Sequence, residues 1–192
     1  MGRRRAAQQG LTLVEMLVTT LVYPAIALMA LQMLATKWDA MTFAMFQGDV
    51  RTHAHLAVTE MAKELRMGAR LPGEVAPSIN VPTAPGNTSV TFFVPTDVDG
   101  TNGVLDVLGQ MEWDTTNPIT YQYDAALRQV LRTEGGATRV IANDVTAVAF
   151  QDQAIDAGLQ ADEVRIVMTV QRVTPGGRAA RADIAAIVTA RN

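Results

Sequence analysis

The chain contains no cysteine among its 192 residues. This absence excludes a disulfide framework, thiolate catalysis and any zinc site built on cysteine. It leaves the compartment open, because a domain outside the cytoplasm can fold without disulfides. A chain of this length fits one ordinary domain with an appendage better than two large domains.

Positive charge is also scarce. The chain has 16 basic and 19 acidic residues, for a formal charge of -3. Three of the basic residues, Arg3, Arg4 and Arg5, lie together at the N-terminus, and the remainder carries a formal charge of -6. An acidic body without a basic stripe argues against nucleic acid as the main partner.

Motifs for catalysis, cofactors and metals are missing as well. We find no Ser-His-Asp order, phosphate-binding loop or dinucleotide fingerprint, and therefore expect no enzymatic activity and no cofactor. His53 and His55 are two residues apart, so on a helix they point in different directions and are expected to be surface histidines. Asp97 and Asp99 alternate as in calcium loops, but no bidentate glutamate follows, which favours a solvated hairpin tip.

A long apolar run is present near the N-terminus. Residues 11–36 carry one charge, Glu15, and exceed the roughly 20 residues that a membrane-spanning helix needs. The basic residues precede this run, so we expect the N-terminus in the cytoplasm and the rest of the chain on the other side. A cleaved secretory signal peptide is disfavoured, because the run is too long and Gln8, Gln9 and Gly10 precede it.

The helical pattern continues beyond the apolar run. In residues 37–71, apolar side chains recur at the spacing of an amphipathic helix, and Pro72-Gly73 is a stop signal. The members of this apolar face are Val58, Met61, Ala62, Leu65 and Ala69. We therefore predict one long helix, or two nearly continuous ones, from Leu11 to about Leu71.

Pro24 lies inside this predicted helix. It removes the backbone hydrogen bond to the carbonyl of Thr20, so we expect a kink or a loosened turn there. We expect the hydroxyls of Thr19 and Thr20 to recover part of the lost bonding.

Residues 72–192 have the pattern of a β-rich domain. Period-two alternation is clearest in residues 163–172, where Val164, Ile166, Met168 and Val170 share one face. Further strands are predicted at residues 89–94, 110–113, 119–123, 127–132, 145–151 and 182–190, with turns at residues 124–126, 135–136 and 176–177. The predicted fold class is α+β, with the second half of the long helix packed on an antiparallel sheet.

Glu15 is unusual because a carboxylate in an apolar helix costs a few kcal/mol and calls for a partner. Cleavage after Gly10, a small residue that a protease can approach closely, would create an α-amine on Leu11. In a stack of such helices, Glu15 of one subunit can face that amine of its neighbour. At about 4 Å and an effective dielectric near 20, the pair is worth about 4 kcal/mol before desolvation.

The stretch Gly10-Leu11-Thr12-Leu13-Val14-Glu15 resembles the class III signal of type IV prepilins and type II secretion pseudopilins. The resemblance implies cleavage by a prepilin peptidase after Gly10, N-methylation of Leu11, and assembly through Glu15. Two features depart from the family pattern: Leu11 replaces the usual phenylalanine, and Pro24 lies nearer the start of the helix than in major pilins.

The same resemblance implies four segments: a leader peptide (1–10), a transmembrane and assembly helix (11–36), its amphipathic continuation (37–71), and a periplasmic or extracellular globular domain (72–192). The precursor would lie in the bacterial inner membrane with its N-terminus in the cytoplasm, and the mature chain in a pilus or pseudopilus filament. Implied partners are the prepilin peptidase, other minor and major pilin-like subunits, the inner-membrane assembly platform and membrane lipid.

Three further segments, residues 64–70, residues 119–132 and residues 188–192, resemble minor pilins of the PilW type and J-type minor pseudopilins. They imply a structural subunit that primes or caps filament assembly. Glu15 is usually absent from the K-type pseudopilin at the tip, so its presence here implies that another subunit can sit above this one. The alternatives are a J-type minor pseudopilin of a type II secretion system and, in another class, a membrane-anchored periplasmic binding module that does not assemble.

Overall fold

The computed structural model describes residues 12–68, 79–82, 86–97, 100, 112–114 and 116–190. They form one helix, α1 (Leu13–Leu65), and seven strands: β1 (Ser89–Phe92), β2 (Ile119–Asp124), β3 (Gln129–Glu134), β4 (Ala137–Ala142), β5 (Val145–Gln151), β6 (Glu163–Val173) and β7 (Ala179–Thr189). The predicted α+β layout is therefore present. The chain divides into two compact units, Met1–Phe43 and Ala44–Asn192.

The described part of the first unit is the beginning of α1. Its large apolar side chains are exposed rather than packed in a core; Leu17, Leu21 and Leu28, for example, all leave more than half of their surface uncovered. A helix satisfies its own backbone hydrogen bonds. The exposed apolar side chains of this one are therefore suited to an apolar environment.

In the second unit, α1 packs through one face. The predicted positions Val58, Met61, Ala62 and Leu65 are all buried, and Ala69 lies outside the described residues. Val50, Ala54 and Ala57 extend the same face by two turns towards the N-terminus.

The helix ends at Leu65, six residues before the predicted end near Leu71. The N–H groups of Met67 and Gly68 bond to the carbonyls of Glu64 and Leu65 at 3.0 and 3.1 Å, which tightens the last turn. A Cβ at Gly68 would lie 3.2 Å from both the Phe92 ring and the carbonyl oxygen of Leu65. A side chain at this position would therefore require the Phe92 ring or the backbone at Leu65 to shift.

The strands form two antiparallel sheets, and the prediction of a single sheet is wrong. One sheet has the order β1-β2-β3-β4 and the other β5-β6-β7. The N–H groups of Val145 and Phe150, on β5, donate to the carbonyls of Arg128 and Asn87 at 2.9 and 2.8 Å. Arg128 immediately precedes β3, and Asn87 lies just before β1. β5 therefore runs along one end of the first sheet.

The alternation predicted for β6 is confirmed. Val164, Ile166, Met168 and Val170 are buried, and the intervening residues are partly exposed. β7 pairs with β6 along its whole length, from Ala179 opposite Val173 to Thr189 opposite Glu163. The predicted turn after β2 is also present, since the Asp124 carboxylate accepts hydrogen bonds from the N–H groups of Ala126 and Leu127.

Two predictions about strands need correction. β4 was not predicted, because its first four residues are exposed and show no alternation; it follows Gly135 and Gly136, which have positive φ and turn the hairpin from β3. The predicted strand at residues 110–113 is not a strand where it is described: Glu112 has no strand structure and Trp113 forms an isolated bridge with Pro95.

Candidate functional site

The predicted processing and assembly residues lie at the start of α1. Gly10 and Leu11 lie outside the described residues, so the cleavage site stays a prediction. Thr12 and Glu15 are described and contact each other at the first turn of the helix.

Thr12 and Glu15 form a reciprocal capping box. The Thr12 N–H donates to Glu15 Oε2 at 2.9 Å, and the Thr12 hydroxyl donates to the same oxygen at 3.0 Å. In return, the Glu15 N–H points to Thr12 Oγ1 at 3.3 Å. A threonine followed three residues later by glutamate is the sequence signal of this motif. We expected the partner of Glu15 on a neighbouring subunit; Thr12 is a partner within the same chain.

The segment after Glu15 has the properties of a membrane span. Among the described residues, α1 is the helix long and apolar enough to cross a bilayer by length and composition, and none of its most apolar stretch is buried. Its large exposed side chains include Leu21, Ile26, Leu31 and Leu34. This exposed apolar surface could anchor the protein in a membrane.

Pro24 lies within α1, and α1 is assigned as one continuous helix through it. The Thr19 hydroxyl donates to the carbonyls of Glu15 and Met16, each at 2.9 Å. The Thr20 hydroxyl donates to those of Met16 and Leu17 at 2.9 and 3.1 Å. Both hydroxyls thus bond to the turn before them, and the expectation that they would compensate for the bond lost at the Thr20 carbonyl is wrong.

A second group of polar residues joins the end of α1 to the first sheet. We call it the Glu64 cluster, and its members are Glu60, Glu64, Tyr121, Arg132, Glu134 and Arg139. Glu64 Oε2 accepts hydrogen bonds from the Tyr121 hydroxyl at 2.7 Å and from Arg132 Nε at 2.8 Å. Arg132 also pairs through Nη1 with Glu134 at 2.6 Å, and Arg139 pairs with Glu60.

The centre of the Glu64 cluster is poorly accessible to water. The side chains of Arg132 and Glu64 are only 12% and 16% exposed, whereas those of Arg139 and Glu60 are 52% and 40% exposed. Burial of the phenol, and next its hydrogen bond to Glu64, raise the pKa of Tyr121 well above its ordinary value. Tyr121 therefore remains a neutral donor, and the cluster fixes the end of α1 to β2 and β3.

A polar cleft of about 130 Å³ lies between α1 and the connection from β4 to β5. Arg172 contacts Asp49 and Asp144, each at 3.2 Å, and His53 Nε2 lies 3.1 Å from Asp49. One guanidinium thus serves both carboxylates, so the cleft offers neither a strong anion site nor a strong cation site. We interpret these contacts as structural.

The remaining candidates from the sequence do not gather into a site. His53 is largely exposed, as predicted for a surface histidine. The Asp97 carboxylate accepts a hydrogen bond from the Gly100 N–H at 2.7 Å, and Asp99 lies outside the described residues. In the part of the chain that the structure describes, no three His, Cys, Asp or Glu side chains are placed to hold a metal ion.

Comparisons with known protein families, with curated proteins and with solved structures find no significant match to this chain.

Proposed function

We propose that the chain is a minor structural subunit of a type IV pilus, which primes or caps the filament after a prepilin peptidase cuts it behind Gly10. The observation that carries the proposal is the order of features at the N-terminus: a basic leader, a glycine, an uncharged run and a single carboxylate at Glu15. Glu15 also caps the helix through Thr12, so the carboxylate supports the proposal only together with the basic leader and the glycine that precede it.

The two parts of α1 differ in their surroundings, and this difference supports a pilin-like fold. Up to about Lys37 the helix is apolar on all sides and exposed, and from Val50 to Leu65 one face is buried in the second unit. A helix that is apolar all round requires either lipid or other helices as its surrounding. Membrane storage before assembly and helix packing in a filament supply these two surroundings in turn.

Glu15 has two partners in this proposal. In the precursor, its carboxylate is held by the N–H and hydroxyl of Thr12. After cleavage, the α-amine of Leu11 on a neighbouring subunit offers a charged partner, worth about 4 kcal/mol before desolvation at an effective dielectric near 20. A charged donor binds a carboxylate more strongly than a neutral one, so assembly favours pairing of Glu15 with the α-amine.

The Glu64 cluster supports the assignment to minor subunits. Glu64 belongs to residues 64–70, and Tyr121 and Arg132 belong to residues 119–132, the segments that resemble PilW-type and J-type subunits. These residues contact one another although they are distant in sequence. The resemblance therefore falls on residues that hold the helix to the sheet.

The first test is the N-terminus of the mature protein. The chain is expressed in a pilus-bearing bacterium with its prepilin peptidase, extracted from membranes, and examined by intact mass and N-terminal sequencing. We expect a chain that begins at methylated Leu11. Gly10→Ile should leave the full-length precursor, and Gly2→Ile, an equal change within the leader, should be processed normally. A wild-type chain that still begins at Met1 rules the proposal out.

The second test separates processing from assembly. Glu15→Ala should be cleaved like the wild type but should be depleted from sheared filaments, because it lacks the carboxylate that pairs with the amine. Glu60→Ala removes a carboxylate from the same helix beyond the apolar run and should enter filaments normally. Equal incorporation of both variants would exclude the pairing role of Glu15.

A further inference from the structure

The charged residues of α1 bracket a segment that matches the thickness of a bilayer. Glu15 and Lys37 are separated by 21 uncharged residues, Met16 to Thr36. At about 1.5 Å per residue, the two charged positions lie roughly 33 Å apart along the helix axis. The hydrocarbon core is about 30 Å thick, and a tilt of about 20° takes up most of the difference.

The residues at the far end of this segment suit a membrane interface. Trp38 follows Lys37 directly, and 70% of its surface is exposed on the helix. A tryptophan ring has an apolar body and a polar N–H, so it is stable at the level of the lipid headgroups. A lysine there extends its amine into the headgroups while its methylene groups remain in the apolar layer.

We infer that Lys37 and Trp38 anchor α1 in the phospholipid headgroup layer on the side away from the leader, and that this anchor holds Glu15 in the opposite headgroup layer. The inference rests on the proposed membrane insertion of α1 and goes beyond it by fixing the depth. Its consequence concerns timing: Glu15 and its capping box stay hydrated in the precursor, and the cost of burying the carboxylate arises when the subunit leaves this depth for the filament.

The depth of Trp38 can be measured directly. The chain has two tryptophans, so Trp113→Phe leaves Trp38 as the only source of tryptophan emission. The full chain is reconstituted into phosphatidylcholine vesicles that carry bromine either near the headgroup end or near the methyl end of the acyl chain. We expect stronger quenching by the shallow bromine. Stronger quenching by the deep bromine overturns the inference, whereas quenching by neither means that the helix is not inserted and that the proposed function fails.

The link between Trp38 and Glu15 needs a second measurement, which the absence of cysteine makes possible. Val14→Cys places a single thiol beside Glu15, and Val22→Cys, two turns further along, is the protected control. In vesicles with the leader side outward, a membrane-impermeant maleimide should label position 14 and spare position 22.

The swap Trp38→Leu with Leu34→Trp moves the aromatic anchor one turn towards the leader at constant composition. It should draw the helix away from the leader side, carry position 14 into the apolar layer, and slow labelling of Val14→Cys several-fold. An unchanged rate would show that Trp38 does not set the depth, and equal labelling of positions 14 and 22 would show that Glu15 does not lie at the boundary.

Discussion

Replacing Glu64 with glutamine should destabilise the second unit by about 2 kcal/mol. Removing one partner of a buried ion pair costs about 3–5 kcal/mol, because the other charge is left without compensation. Here Arg132 is 12% exposed and keeps Glu134 at 2.6 Å, so part of that cost is avoided. Glutamine also retains one acceptor oxygen for the Tyr121 hydroxyl, which spares the larger penalty of an unsatisfied buried donor.

The assay is urea unfolding of the full chain in detergent micelles, followed by Trp113 emission in a Trp38→Phe background. With a denaturant slope of about 2 kcal/mol per M, Glu64→Gln should lower the midpoint by about 1 M. The matched control is Glu60→Gln. Its partner Arg139 is 52% exposed, so its loss should cost at most about 1 kcal/mol. Equal shifts for the two variants would refute the claim that burial decides the strength of these pairs.

Two further predictions concern the same unit. Gly68→Ala should destabilise it by about 1–3 kcal/mol, because the added Cβ meets neighbours at 3.2 Å. Gly48→Ala, with nothing within 4 Å of the new Cβ, should raise helix stability by up to about 1 kcal/mol in the same urea assay. The raised pKa of Tyr121 means that the folded state holds this proton more tightly, so stability is intact below about pH 10 and falls as pH rises further. Tyr121→Phe should flatten that alkaline decline, and an unaltered pH profile would contradict the assignment.

Periodicity predicted the parts of the fold that pack against one surface. The buried face of α1 at Val58, Met61 and Leu65 follows from the helical repeat, and the buried face of β6 follows from strict alternation. Each element has one buried side and one more exposed side, and the local sequence shows this contrast as a repeat of apolar residues.

The missed features depend on contacts that local patterns do not contain. β4 is exposed over its first four residues, so it has no alternation to detect, and its existence depends on pairing with β3. β5 donates hydrogen bonds to the carbonyls of Arg128 and Asn87 and does not pair as a further strand of the first sheet. It belongs instead to the second sheet. Glu64 is 57 residues from Tyr121 and 68 from Arg132, a separation at which no local pattern identifies partners.

Glu15 shows how a local contact changes the argument for a distant one. From the sequence, the cost of a lone carboxylate in an apolar helix was the reason to expect an intersubunit partner. The capping box weakens that reason, because Thr12 satisfies one carboxylate oxygen within the subunit. What the capping box does not supply is positive charge. The α-amine of a neighbour does, and only cleavage creates it, so pairing is favoured by the charge of the partner and by the burial that assembly brings.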